Sequence, residues 1–423
     1  MILYCQKDSF KTEFTSVVKS CNESTATIQA NGKKELIRTY EVLLEDTILF
    51  PEGGGQPSDH GWLDGEEVLQ LERRGDDVVH ITRQPFTVGQ AVKQTVDWKL
   101  RFDRMQQHTG QHLITAIADK HFGYSTTSWW LGDKVCHIEL ESANGNVMTD
   151  AEMKDLENMV NAKIREATPI SVNVYEEGDP HLTTVRTRGL PEGFKGPVRV
   201  VTITGVEDNM CCGTHLSHLG QLQAIKLLSL ERGKARGGKP NRSFFLYFLA
   251  GERVLSRLEE SLLRESQLTS LLKNAPADHV DLVDKLQKSF KQCSKNLQTV
   301  LRNVAVMEAE KFKMLDPKPK FYSLHRKEAE PDFMSVFLSE VGKQDVLFFL
   351  TTGDPTGSGN MILYGEPKLV EKLGPIVCEI LGGKGAGKGQ RFQAKVSNLK
   401  KRPDAEAAIE KFLAVPVDGT NEV

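Results

Sequence analysis

Apolar residues in the first 95 positions fall in short runs separated by turns. Segments 16–18, 25–28, 35–38, 42–44 and 47–50 each read as a strand. Short strands with frequent turns predict a small β-barrel-like domain over residues 1–95. The period then changes. Met105, Thr109, Leu113, Ala116 and Ile117 lie on one stripe at helical spacing, so a helix is expected over 100–121, with Gly123 as its stop. A strand is expected at 135–140. Residues 150–166 form a second amphipathic pattern, which Thr149 or Asp150 can cap, and Pro169 lies beyond its end. Strands at 170–175, 198–203 and 244–249 complete an α/β domain over 96–250.

From 250 the pattern lengthens. Val283, Leu286, Phe290, Cys293, Leu297, Val300, Val304 and Met307 alternate spacings of three and four, which is a heptad seam. Leu255, Leu258, Leu262, Leu268 and Leu272 mark an earlier helix, and Asn274-Ala275-Pro276 a turn between the two. An antiparallel helical hairpin is expected over 251–315. Asp316-Pro317-Lys318-Pro319 reads as a linker. Strand-like pieces at 346–350 and 361–364 alternate with helix-like ones at 370–381 and 405–413. They predict a small α/β domain over 316–423, with 418–423 as a loose tail. The fold class is α+β.

Charge refines this outline. The chain has 423 residues, with 54 Lys plus Arg against 57 Asp plus Glu, a net charge of −3. Nucleic-acid binding by bulk positive charge is excluded, but local patches are not. Two patches stand out. One holds Arg232, Lys234, Arg236, Lys239 and Arg242. The other runs from Lys384 through Lys388, Arg391 and Lys395 to Lys400, Lys401 and Arg402, with no acid between Ile380 and Pro403. Cations and exposed glycine NH groups together can hold phosphates. The run Gly382–Gly389 resembles a nucleotide phosphate loop, but Gly389 replaces the metal-binding Ser or Thr and the run follows an expected helix, which excludes nucleotide hydrolysis. No apolar run reaches the ~18–20 residues needed to cross a bilayer. The N-terminus meets Gln6, Lys7 and Asp8 too early for a signal peptide. Seven scattered cysteines are not a disulfide framework, and a reducing, cytoplasmic setting is expected.

The candidate chemistry sits in two short motifs. His108-Thr109-Gly110-Gln111-His112 places two histidines four apart on the first expected helix, on one face. Cys211-Cys212-Gly213-Thr214-His215 offers a thiol and a third imidazole. Three nitrogens and one sulfur suit a tetrahedral zinc ion. Either Cys211 or Cys212 could supply the sulfur. Cys136 and His137 are adjacent on an expected strand and face opposite sides, and His218 lies three beyond His215. A metalloprotease is excluded because Thr109 stands where its general-base Glu would follow the first His. Pro51-Glu52-Gly53-Gly54-Gly55-Gln56-Pro57 is a third signal, since consecutive glycines allow close approach of a ligand or chain.

Those three motifs, in that order, resemble the editing domain of alanyl-tRNA synthetase and the freestanding AlaX editing proteins. The segment Phe50–Asp59 carries the first, and the two metal motifs the rest. The glycine-rich end is similar to the synthetase C-terminal domain and the helical hairpin to the linker before it, so the chain resembles the long AlaX class. Threonyl-tRNA synthetase editing domains share the two metal motifs, but the Glu52–Pro57 segment and the C-terminal piece favour the alanyl system.

The resemblance implies one zinc per chain on His108, His112, Cys211 and His215, with Cys212 where the family often has Gly. It implies hydrolysis of Ser-tRNA(Ala), and of Gly-tRNA(Ala), in trans, by a chain that lacks the aminoacylation domain. Substrate contacts are expected from Gly53, Gly54, Gly55 and Gln56, from Thr109, and from Thr126, Thr127 and Ser128, where the family recognises the seryl hydroxyl. Arg236, Arg242, Lys384, Lys388 and Arg391 are expected to contact tRNA. A homodimer could form through the hairpin or the C-terminal domain. The rival expectation is a non-catalytic tRNA- or protein-binding adaptor with a structural zinc.

Overall fold

The computed structural model describes residues 2–30, 33–176, 178–187, 196–233 and 243–414. Contacts divide it into two compact units, one ending at Gln267 and one beginning at Leu268. The structure is mixed α+β.

The first unit opens with α1 (Tyr4–Lys7) and seven strands: β1 (Glu13–Ala30), β2 (Lys33–Leu44), β3 (Gly61–Leu63), β4 (Glu66–Glu67), β5 (Gln70–Arg74), β6 (Asp77–Thr82) and β7 (Ala91–Val96). They form one antiparallel sheet in the order β4-β3-β7-β1-β2-β6-β5. The ladder ends at β4 and β5, so the expected barrel-like closure does not occur. Strand β1 spans two of the expected strands. Its first five residues pair with β7, and a register shift between Val18 and Ser20 accompanies its pairing with β2.

The strand expected at 47–50 is absent. Thr47, Ile48, Leu49 and Phe50 are buried, but side chains replace ladder partners. The NH of Ile48 donates to Gln94 Oε1, that of Leu49 to Thr47 Oγ1 and that of Phe50 to Asp59 Oδ2. This satisfies the buried backbone without a strand.

The rest of the unit is built around α2 (Trp98–Phe122). Asp97 caps it through the Leu100 NH, and Gly123 ends it at φ 69°, a left-handed cap suited to glycine. Polar and apolar residues from Met105 to Ala118 are buried alike. Around it lie β8 (Tyr124–Leu131), β9 (Cys136–Ser142), α3 (Asp150–Arg165), β10 (Ile170–Tyr175), β11 (Val198–Ile203), β12 (Glu207–Met210), β13 (Ile225–Arg232) and β14 (Ser243–Ala250). Thr149 and Glu152 form a capping box on α3. The sheet β13-β14-β9-β8 packs its inner face, including Ile138, Leu140, Leu246 and Phe248, on α2 and α3. A second sheet has the order β10-β11-β12. Helix α4 (Glu252–Leu272) begins in this unit.

The second unit contains α5 (His279–Lys313), β15 (Phe321–Arg326), α6 (Pro331–Val341), β16 (Leu347–Gly353), β17 (Gly359–Tyr364), α7 (Pro367–Ile380), β18 (Lys384–Lys388), β19 (Arg391–Val396) and α8 (Arg402–Ala414). The sheet order is β15-β16-β17-β19-β18, with only the first pair parallel. Phe348 faces Phe312 of α5 and Phe337 of α6, whereas Phe349 faces the core shared with α7 and α8. The α5 seam is not a buried core: Leu286, Phe290, Leu297 and Val300 are exposed. Apart from His279 at its start, burial in α5 is confined to its last turns, at Ala305, Glu308, Ala309 and Phe312. The glycine-rich run 382–389 contains strand β18. The expected tail at 418–423 lies outside the described residues.

Candidate metal centre and its cavity

Helix α2 carries His108 and His112 one turn apart, both fully or nearly fully buried. Cys211 follows β12 and continues its ladder by one step. Its NH donates to the Arg199 carbonyl at 3.2 Å, and Arg199 Nη1 donates to the Cys211 carbonyl at 2.6 Å. The chain then turns through Gly213, which packs against His108. A Cβ there would strike the imidazole and sit 2.8 Å from Gln56 Oε1. His215 follows. The result is a group of three imidazole nitrogens and one thiol sulfur, all within 4.8 Å of one another. Cys211 Sγ is 3.5 Å from His108 Nε2 and 3.2 Å from His215 Nε2. This group could hold a metal ion. Cys212 is not part of it. Its side chain lies instead beside Gly53 and Gly54, and its carbonyl accepts from Gln6.

The far side of two rings is held as well. His108 Nδ1 lies 2.9 Å from Gln56 Oε1, and His215 Nδ1 lies 3.2 Å from Thr109 Oγ1. Gln56 Oε1 can only accept, so His108 donates through Nδ1–H and turns its Nε2 lone pair toward the cluster. His215 takes the same tautomer when its Nδ1–H donates to Thr109 Oγ1, the arrangement that a metal on Nε2 requires. Gln56 is fixed in turn: Oε1 accepts from the Thr214 NH and Nε2 donates to Thr214 Oγ1. Thr109 Oγ1 also accepts from the Leu216 NH. Burial holds His108 and His215 well below the usual imidazole range and His112 down to about 3. Burial, with Cys212 adding, pushes the Cys211 thiol up to about 12. Three neutral imidazoles therefore stand ready as ligands, and the thiol must lose its proton to join them.

One side of the cluster is open. His112 and Cys211 line a cavity of about 670 Å³. Gly54 and Gly55 form part of its wall at φ 60° and 81°, a turn closed by reciprocal hydrogen bonds between Gly53 and Gln56. Trp129 Nε1 donates to the Gly54 carbonyl and packs where a side chain on Gly55 would lie. Arg73, Arg186 and Arg199 also line the cavity, against one acid among the described residues, Asp76. Arg73 of β5 brings the N-terminal sheet into the wall, and Arg101 of α2, fully buried, ties the helix to the loop before β3 by binding Asp59 through Nε at 2.9 and 2.8 Å.

The expected site residues separate clearly. Gly54, Gly55, Thr126 and Ser128 line the cavity. Thr109 and Gln56 are buried behind the cluster and hold its imidazoles. Gly53 packs toward Cys212. Thr127 is exposed and donates to the Glu139 carbonyl, in a strand whose register shifts between Thr126 and Ser128. Lys384, Lys388 and Arg391 are exposed on β18 and β19 of the second unit. Arg236 and Arg242 lie outside the described residues. Sequence reasoning missed Gln111, Trp129 and Arg199 as cavity residues. Gln111 lies inside the histidine motif, so its position was visible. Trp129 and Arg199 join the site only through sheet pairing.

The chain is similar to several known proteins. The family described as threonyl and alanyl tRNA synthetase second additional domain matches residues 198–240. The chain is 46% identical over 414 residues to alanyl-tRNA editing protein Aarsd1-B of Xenopus laevis, covering 98% of each. It is 28% identical to the putative alanyl-tRNA editing protein alaX of Saccharomyces cerevisiae, covering 97% of this chain and 96% of that one. It is 27% identical to the alanine–tRNA ligase of Ignicoccus hospitalis over 84% of this chain and 38% of the ligase.

Proposed function

We propose a function from one premise: the chain belongs to the family of alanyl-tRNA editing proteins. It is an aminoacyl-tRNA deacylase that hydrolyses mischarged tRNA(Ala) in trans, chiefly Ser-tRNA(Ala), with Gly-tRNA(Ala) as a second substrate. The observation that carries this reading is a ligand cluster whose members His112 and Cys211 open onto a cavity. A purely structural metal has no need of that opening.

The donor set fits one Zn2+ per chain. Tetrahedral zinc with ordinary Zn–N and Zn–S bonds separates its ligand atoms by roughly 3.3–3.6 Å. The nitrogen–sulfur distances of 3.2 and 3.5 Å lie close to that range. His108, His112, Cys211 and His215 would hold the ion. The chemistry it supplies when bound is Lewis-acid polarisation of an ester carbonyl and activation of water. Gln56 and Thr109 keep two ligand imidazoles in the metal-binding tautomer. The Gly54–Gly55 turn, clamped by Trp129, lets backbone approach the ester closely. Arg73, Arg186 and Arg199 give the cavity a positive surplus suited to the phosphates of an RNA 3′ end. Lys384, Lys388 and Arg391, with Arg236 and Arg242, contact the tRNA backbone elsewhere. The exposed apolar side chains Leu286, Phe290, Leu297 and Val300 support pairing with a second copy through α5. Seven free thiols fit the reducing cytoplasm.

The test is deacylation of Ser-tRNA(Ala) by wild type, His112→Ala and Cys212→Ser. We expect wild type and Cys212→Ser to retain the metal and His112→Ala to lose both metal and hydrolysis. Intact tRNA binding by a wild-type protein that never cleaves the ester would point to the adaptor instead.

A further inference from the structure

We infer that Gln111 is the residue that reads the side-chain hydroxyl of the bound aminoacyl ester. This rests on the deacylase reading above.

Gln111 lies on α2 directly before the ligand His112, and it lines the same cavity. Its side chain is 97% buried, with 3% of its surface exposed. Nε2 lies 2.9 Å from Thr115 Oγ1, and Thr126 Oγ1 of β8 lies 3.3 Å from the same Thr115 oxygen. The three side chains therefore form one polar chain along the cavity wall. It ends at Gln111 Oε1, which has no partner.

That lone atom sets Gln111 apart. Six glutamines are buried among the described residues: Gln6, Gln56, Gln94, Gln106, Gln107 and Gln111. Gln6 uses both amide ends, on Leu3 and Cys212. Gln56 and Gln94 use both, as do Gln106 and Gln107. Only Gln111 leaves one end unused; Gln6 lines the same cavity, but both its amide ends are taken by Leu3 and Cys212. Buried polar atoms are paired with protein or ordered water almost without exception, so an unpaired one on a cavity wall, as at Gln111 Oε1 and at Arg199 Nη2, calls for a partner supplied from the cavity.

The identity of that partner follows from the amide itself. Turned one way, the amide offers Oε1 to the ligand. Turned the other way, Oε1 accepts from the Thr115 hydroxyl and Nε2 is offered. A hydroxyl satisfies both orientations because it donates and accepts. A carbonyl satisfies only the second and an ammonium only the first. The three arginines lining the cavity further disfavour an ammonium at this wall. The hydroxyl of a seryl ester fits, and an alanyl ester, which lacks only that hydroxyl, leaves the amide unpaired.

The experiment compares kcat/KM for Ser-tRNA(Ala) and Ala-tRNA(Ala) in wild type, Gln111→Met and Thr115→Val, with metal content measured on each. Gln111→Met is expected to lower the serine-to-alanine ratio by about 10–100-fold, the loss typical of one buried hydrogen bond. Thr115→Val, which removes the anchor of the amide, is expected to lower the ratio by a smaller factor and serves if Gln111→Met does not fold. An unchanged ratio in a metal-loaded variant overturns the inference, as does an equal fall on both esters. A metal-loaded wild type that cleaves neither ester overturns the deacylase reading, and this inference with it.

Discussion

Each ligand imidazole has two nitrogens, and the one facing away from the cluster settles how the other behaves. Gln56 and Thr109 do this for His108 and His215, from positions that the sequence places in two different motifs. The residues that gather into the candidate metal cluster were therefore legible in type and spacing, but not which side chains hold its rings and which line the cavity. The choice between Cys211 and Cys212 was likewise open, because it depends on the ladder step that Cys211 shares with Arg199. Thr127, between two cavity residues, is exposed on a strand whose register shifts between Thr126 and Ser128, an irregularity that no propensity signals. A buried histidine outside the site also carries a prediction. His80 is fully buried, with Nε2 near Thr47 Oγ1 and Nδ1 near the Val42 carbonyl, and burial brings its pKa down to about 4. The unfolded chain binds this proton near pH 6.5, the fold only near 4. The neutral ring thus contributes its full stability above pH 6.5, and that stability is lost as pH falls from 6.5 to 4, by roughly 3 kcal/mol in total. Urea unfolding followed by tryptophan fluorescence reports on the first unit, which holds Trp62, Trp98, Trp129 and Trp130. His80→Gln should flatten the fall in stability between pH 6.5 and 4. An identical pH slope in both proteins would show that His80 is not protonated on unfolding.

Among elements, α2 was the most legible because its apolar stripe, its stop at Gly123 and its histidine spacing all agree. The segment 47–50 misled because burial alone looks like a strand, while its backbone partners are side chains: Gln94, 46 residues beyond Ile48, and Asp59, nine beyond Phe50. Strand β18 was hidden by its glycines, which disfavour strands by propensity. Glycine is nevertheless needed there, since a Cβ on Gly385 or Gly387 would strike β19. The same close approach operates in the loop after β12. Gly213→Ala should push His108 from its bond with Gln56 and lower metal affinity by at least about tenfold, in line with the loss of a ring-orienting contact. Competition with a chromophoric chelator measures this. Wild-type affinity in Gly213→Ala would mean that the loop yields without moving the ring.

At the scale of the molecule, the net charge of −3 conceals how unevenly cations are placed. Three arginines line the cavity of the first unit, and basic residues stand exposed on β18 and β19 of the second. The order of segments along the chain, with strands first and the mixed C-terminal region last, was readable from periodicity alone. Closure of the N-terminal sheet was not, because strand counting does not reveal which edges meet. The exposed α5 seam shows the same limit: a heptad pattern marks an apolar face without naming what covers it. The central claim is that the first unit cleaves a seryl ester through a metal held by His108, His112, Cys211 and His215. Its most direct test is single-turnover hydrolysis of Ser-tRNA(Ala) by protein stripped with a chelator and then reloaded with stoichiometric Zn2+. The rate should fall to the uncatalysed level on stripping and return on reloading. Hydrolysis that persists in fully stripped protein, or that never appears in the loaded one, would contradict it.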